Sequence, residues 1–303
     1  MNTNIIDNTS LLTTGSFSLK AKIKDYNQLV KLRLTLLVVF SSVITYLTAS
    51  VGPINWFEVS MLALGGFLVT GASNGINQVI EKDYDKLMLR TANRPIATNR
   101  MSVNEAIIAC LIFGISGVFI ISFYLNQVSG LLAFTALVSY AFIYTPLKRV
   151  SPISVFVGAF PGAIPTMLGW VAFTGKIDSP AIVLFLVQFL WQFPHFWSIA
   201  WILDDDYKRA GFKMLPSTPG RDKKTALQTL AYSIVLIPVG ILPFQMGVSG
   251  IISAIVAIFA GCMISFYAFL LFRKCDNAAA KKLMFASFIY LPVVQLAYYF
   301  DKI

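Results

Sequence analysis

Residues 77–95 read NQVIEKDYDKLMLRTANRP and close an apolar run that begins at Trp56 and carries almost no charge. The run is long enough to cross a bilayer as a helix, which takes about 20 residues. It ends in three acids, two lysines and two arginines, with an asparagine set back inside it. On a helix Asn77, Glu81 and Asp85 fall at i, i+4 and i+8, so their side chains stack along one stripe. Asp83 points away from that stripe while the helix continues, and joins it only from a loosened last turn. Asn74 lies one turn deeper. Polar groups at that depth are costly unless they face a cavity or a partner. This stretch predicts a membrane helix with an oxygen-rich site at one end.

The rest of the chain agrees. Of 303 residues, 57% are apolar and 13% charged, too apolar for a soluble globule. Spanning-length apolar runs recur near residues 34–52, 56–80, 103–123, 128–145, 152–173, 180–203, 226–246, 248–272 and 283–300. This predicts an all-α polytopic membrane protein of about nine transmembrane helices. Glycine and proline are dispersed, so the chain divides only into residues 1–33, a tail and interfacial segment, and residues 34–303, one transmembrane domain. The opening MNTNIIDNTSLLTTGS lacks both the basic start and apolar core of a signal peptide and the arginines of a transit peptide. The following SLKAKIKDYNQLVKLR is basic and suited to lie along a membrane surface. Cys110, Cys262 and Cys275 show no paired spacing; they are expected to fill the core rather than form disulfides or a zinc site.

The net charge of +10 is a topology signal. The N-terminal segment and the linkers after the second, fourth, sixth and eighth runs hold 22 of the 24 lysines and arginines; Lys176 and Lys302 are left on the other side. By the positive-inside rule the N-terminus and the even linkers are cytosolic and the C-terminus is outside. This accounts for the basic balance without nucleic acid, and the missing transit peptide favours a bacterial cytoplasmic (inner) membrane.

The sixth run ends as the second does, in WILDDDYKRAGFKMLP at 201–216, placing Asp204, Asp205 and Asp206 on the same side of the membrane. The two clusters contain six of the chain's 14 acids. Two facing carboxylate groups suit Mg²⁺, a hard cation that prefers oxygen and keeps substrate phosphate in its shell. Arg90, Arg94, Lys208 and Arg209 would clamp that phosphate. The bland alternative, solvated anchors at a helix end, explains the basic residues but not the concentration of acids. The single histidine, His195, lies eleven residues before Asp206 in QFLWQFPHFWSIAWILDDD. That is nearly three helical turns, so the two share a face, with His195 roughly 16 Å deeper. It suits contact with an acceptor deep in a cavity, or a bond to a neighbouring backbone carbonyl. The surrounding Trp191, Phe193, Phe196, Trp197 and Trp201 are too many for one stripe, so some are expected to face lipid.

Residues 77–95 resemble the first acidic motif of the UbiA-type intramembrane prenyltransferases, Asn-x3-Asp-x3-Asp. More narrowly, RTANRP (90–95), YTPLKR (144–149), GAIPTMLGW (162–170), WQFPHFW (191–197) and DYKRAGFKMLP (206–216) resemble the branch of that family that farnesylates protohaem IX. Glu81 stands for the middle acid, no acid precedes the aspartate run by one turn, Thr166 replaces a common proline and Leu32 interrupts a Lys-Pro-Arg; the last two changes are expected not to touch the chemistry.

The resemblance implies nine helices around a central cavity. It implies Mg²⁺ as cofactor, farnesyl diphosphate and haem B as substrates, and haem O and diphosphate as products. A haem A synthase is the implied downstream partner. The implied metal site is Asn77, Glu81 and Asp85 opposed by Asp206, with Asp83 and Asp205 as further candidates. Lys148 and Arg149 join the implied diphosphate clamp, and His195 becomes the haem contact. A prenyltransferase acting on a quinone precursor or chlorin would share the diphosphate chemistry, and a transporter would use Asn74, Asn77 and His195 to line a path.

Overall fold

The computed structural model describes residues 18–303; the tail predicted over residues 1–17 lies outside the described residues. Fourteen helical elements follow one another. A short α1 (Leu19–Leu29) precedes α2 (Leu32–Ala49) and α3 (Trp56–Ile80), and a single turn, α4 (Lys82–Asp85), follows α3. Then come α5 (Val103–Tyr124), α6 (Gln127–Val138), a π-helical turn (Ser139–Tyr144) and α7 (Thr145–Val150). The chain continues as α8 (Ser154–Thr174), α9 (Ser179–Ile202), the short α10 (Asp204–Arg209), α11 (Lys223–Gln245), α12 (Ile251–Lys274) and α13 (Asn277–Phe300). Among the described residues nine helical stretches have the length and apolarity to cross a membrane, at the predicted places. The chain is a multi-pass membrane protein.

Boundaries shift where a polar cap extends a helix. Asp222 and Asp276 accept backbone N–H bonds from Thr225 and Ala279, so α11 and α13 begin earlier than the apolar pattern predicts. Such caps satisfy amides that the helix leaves open. The run NAAAKK then continues α13 because alanine and lysine are good helix formers. A second correction concerns YTPLKR, which is helix rather than linker. Pro146 cannot donate a backbone bond, and the widened π turn ahead of it accommodates that loss.

The spanning helices close into a ring through the contacts α2–α3–α5–α6–α8–α9–α11–α12–α13–α2. Cross-contacts α2–α8 and α9–α13 draw α2, α8, α9 and α13 into an inner set. Near mid-membrane these four are tied by side chains. Ser41 donates to Gln295 Oε1 at 3.2 Å, Gln295 donates to Gln188 Oε1 at 3.1 Å, and Gln188 donates to the Gly162 carbonyl at 2.7 Å. Gly169 completes the belt: α2 approaches so closely that a Cβ there would collide with the Ser42 carbonyl.

The aromatic residues around His195 divide: Trp201, Phe193 and Trp197 are buried, while Trp191 and Phe196 stay half-buried. α9 packs against α8, α11 and α13, which leaves it little outer face. The expectation for the cysteines is corrected. Of the cysteines only Cys110 is core; Cys262 is exposed and Cys275 half-buried, and all three are free.

Candidate active site

The first acidic motif does not stay on one straight helix. α3 stops at Ile80, Glu81 forms the junction, and α4 makes one further turn. Asn77, Glu81 and Asp85 are nevertheless all buried, at 1%, 4% and 1% exposure. Each has a specific partner. Lys148 Nζ bonds Glu81 Oε1 at 2.7 Å, and Arg94 Nη1 bonds both Asp85 oxygens at 2.7 Å. Asn77 donates to Thr145 Oγ1 at 3.1 Å and accepts from Lys31 Nζ at 3.2 Å. The π turn brings Thr145 and Lys148 onto the stripe: Thr145 bonds back to the Tyr140 carbonyl five residues earlier.

Lys31 is the site residue that motif reading misses. It lies between α1 and α2 in a left-handed conformation, φ +49°, uncommon for a residue with a side chain. Gln78 donates to the carbonyls of Gln28 and Leu29, and Asn74 to that of Val30, so α3 amides cap α1 and hold the turn. Its only sequence signal is a lysine immediately before an apolar run. Burial pushes the Lys31 ammonium well below the usual lysine range; Arg94 and Lys148 push the same way, while Glu81 opposes them. Burial also raises the Asp85 carboxyl, an effect that Arg94 offsets and Glu81 reinforces. Four basic side chains, Lys31, Arg90, Arg94 and Lys148, thus gather around two buried carboxylates and an amide.

The second acidic run is divided. Asp206 meets the first cluster: it accepts the backbone N–H groups of Leu89 and Arg90 at 3.2 and 3.3 Å and pairs with Arg209. Burial would raise its carboxyl, but Arg209 and the two amides hold it below the usual carboxylate range. Asp204 pairs with Lys208 at 2.7 Å, and Asp205 with Arg221 at 2.9 Å. Arg221 also bonds the Trp201 carbonyl at the end of α9. Asp83 is exposed and pairs with Lys86.

α4 and α10 turn Asp83 and Asp205 outward, where each holds a surface ion pair, so the structure does not bring them together with Glu81 and Asp85. Lys208 and Arg209 are likewise engaged by their own helix. Arg149 stacks on Tyr84, 4.1 Å from the ring centroid, and bonds its hydroxyl. Arg90 is exposed and bonds Asp206 through its backbone only. Among the described residues no three acids, histidines or cysteines form a ready-made metal cluster. The oxygen donors that fit Mg²⁺ are Glu81, Asp85 and the Asn77 amide: hard, buried and already balanced by cations.

His195 lies at the α9–α13 contact. Its Nδ1 is 2.9 Å from Ser287 Oγ, its ring stacks on Trp191, and Phe288 closes one side. Nε2 has no hydrogen-bond partner among the described residues. His195 and Asp206 stand on different helical elements, because α9 ends at Ile202 and α10 starts at Asp204.

Residues 37–291 match the model of the UbiA prenyltransferase family. A protein named protoheme IX farnesyltransferase from Cytophaga hutchinsonii is 49% identical over 92% of this chain and 97% of its own length. The fold superimposes on a solved structure of digeranylgeranylglyceryl phosphate synthase with a TM-score of 0.77 at 21% identity, covering 93% of this chain and 98% of the other. It also superimposes on a UbiA homologue from Archaeoglobus fulgidus bound to GPP and Mg²⁺, with a TM-score of 0.69 at 15% identity over 90% and 99% of the two chains.

Proposed function

The chain belongs to the UbiA prenyltransferase family, and from that premise we propose that it transfers the farnesyl group of farnesyl diphosphate to a vinyl group of haem B. Water is added in the same reaction, and haem O and diphosphate leave. The acceptor follows from the named relative. The chemistry rests on one observation: two buried carboxylates and an amide, each held by a basic side chain from a different part of the fold.

Diphosphate is a poor leaving group until its charge is neutralised. Asn77, Glu81 and Asp85 would hold Mg²⁺, an ion that the Archaeoglobus homologue binds together with GPP; when bound it supplies positive charge to the departing phosphates. Arg94 and Lys148 neutralise the oxygen stripe in the free protein, and with Lys31 on the Asn77 amide they would meet the arriving diphosphate oxygens. Arg90, at the edge, adds a guanidinium with no ion pair among the described residues. Asp206 acts as a positioning residue by fixing the Leu89–Arg90 backbone beneath that arginine. Loss of diphosphate leaves an allylic cation, which the acceptor vinyl captures before water completes the product. His195 offers Nε2 to the haem, while Ser287 and Trp191 orient its ring.

The basic end of the bundle faces the cytosol of a bacterial cell, in the inner membrane, and the C-terminus lies outside. Residues 34–303 work as one catalytic domain. A haem A synthase would take the product. The testing experiment supplies haem B, farnesyl diphosphate and Mg²⁺ to purified protein in nanodiscs, with EDTA as control, and reads mass. Haem plus farnesyl plus water is expected; diphosphate release only with an aromatic acceptor would reassign the acceptor.

A further inference from the structure

We infer that the groove between α1 and the start of α2 receives haem by its two propionates, a reading that rests on the acceptor proposed above. α1 has two faces. Lys22 and Tyr26 bond Glu105, and Asp25 bonds Arg100, so that face is tied to α5 and the loop before it. Lys20, Lys24 and Asn27 recur at i, i+4 and i+7 on the other face, and Lys31 follows in the turn after α1. This face and Arg33 from α2 border an open groove of about 710 Å³, within the usual range of small-molecule sites, roughly 300–1,000 Å³.

The groove joins charge to grease. Lys20, Lys24 and Arg33 make no ion pair among the described residues, whereas Lys22 and Arg100 on the tethered side do. Ile23, Leu32 and Leu34 supply its apolar lining. At its inner end Lys31 reaches Asn77 of the candidate active site. A protohaem is complementary to that arrangement: two carboxylates on one edge of a flat apolar ring, and the reacting vinyls away from them. Held by its propionates at the charged rim, the ring turns its vinyl edge toward the apolar interior.

The test compares wild type with Lys20→Gln/Lys24→Gln/Arg33→Gln in phosphatidylcholine nanodiscs, with and without phosphatidylglycerol. Haem binding is read from the Soret band, using haem B and its dimethyl ester, and turnover is followed with both. Wild type is expected to bind haem B at least tenfold more tightly than the ester, in line with one or two charge-assisted bonds lost. The triple variant loses that preference and about tenfold in haem B affinity, with its KM for farnesyl diphosphate unchanged. Equal affinity of wild type for both haems, or an unaltered variant, overturns the inference while leaving the farnesyl transfer intact. So does a variant that loses only its response to phosphatidylglycerol, which makes the groove a lipid site. If wild type makes no farnesylated haem at all, the acceptor assignment fails and the groove reading with it.

Discussion

Lys148→Met separates the fold from the chemistry. Lys148 and Glu81 form a 2.7 Å pair whose side chains are only 10% and 5% exposed, so little water is available to screen a carboxylate left alone. Removing one partner of a buried pair costs about 3–5 kcal/mol. For a chain of this size that lowers the unfolding midpoint by roughly 6–20 °C, at about 2–4 °C per kcal/mol. The loss comes from the stranded charge, so Lys148→Met/Glu81→Gln should recover most of it. Turnover should fall in both variants by about 10² or more, the scale of one lost donor to a developing anion. Thermal unfolding in detergent and the haem O mass assay read the two effects separately. A Lys148→Met protein that melts with wild type, or a double variant no better than the single, would show that Glu81 is not stabilised by this pair.

Because Arg94 and Lys148 already neutralise Asp85 and Glu81, EDTA should abolish product formation while leaving the unfolding midpoint unchanged. Asp206→Ala should cost about 1–3 kcal/mol and raise hydrogen exchange at the Leu89 and Arg90 amides; unchanged protection would remove it as their acceptor. Gln188→Leu leaves Gln295 and the Gly162 carbonyl without their bonds and should cost about 1–3 kcal/mol, with Gln188→Leu/Gln295→Leu costing less than the two single losses combined. Asp222→Ala removes the α11 cap and should cost about 1 kcal/mol. Burial would raise Asp222, but the Thr225 amide and Ser217 hydroxyl hold it below the usual range. The cap therefore contributes fully above about pH 4, and wild type loses the increment as pH falls through the lowered value. The variant's deficit should shrink over that same interval.

Helix number and order were legible because each span is a long run with almost no charge, bounded on one side of the bundle by charged linkers and on the other by short, nearly uncharged ones. Asn77, Glu81 and Asp85 were legible as a stripe because a four-residue period survives even a break in the helix at Glu81. What spacing could not show is which charges answer which. Asp206 and Asp205 are neighbours in sequence, yet one caps the Leu89–Arg90 backbone and the other meets Arg221 at the surface. That division depends on where α9 stops, and a single residue of phase decides it. Lys31 was hidden for a different reason. Its place is set by a left-handed turn and by three carbonyls capped from α3, contacts that bridge more than 40 residues.

These long-range caps bear on how the site can work. Asn74 and Gln78 spend their amides on the backbone of α1, leaving Asn77 between them to face Lys31 and Thr145. One helix face therefore does two jobs: it fixes the entrance helix and presents the oxygen stripe. The inner helices are meanwhile tied near mid-membrane by Ser41, Gln295, Gln188 and the Gly162 carbonyl. A polar belt in that position satisfies its own groups and offers an apolar prenyl tail nothing to bond. The bundle is thus braced deep in the membrane while its charged groups converge at the basic end. This polarity of the fold suits the proposed diphosphate chemistry at that end, with the prenyl chain buried below it.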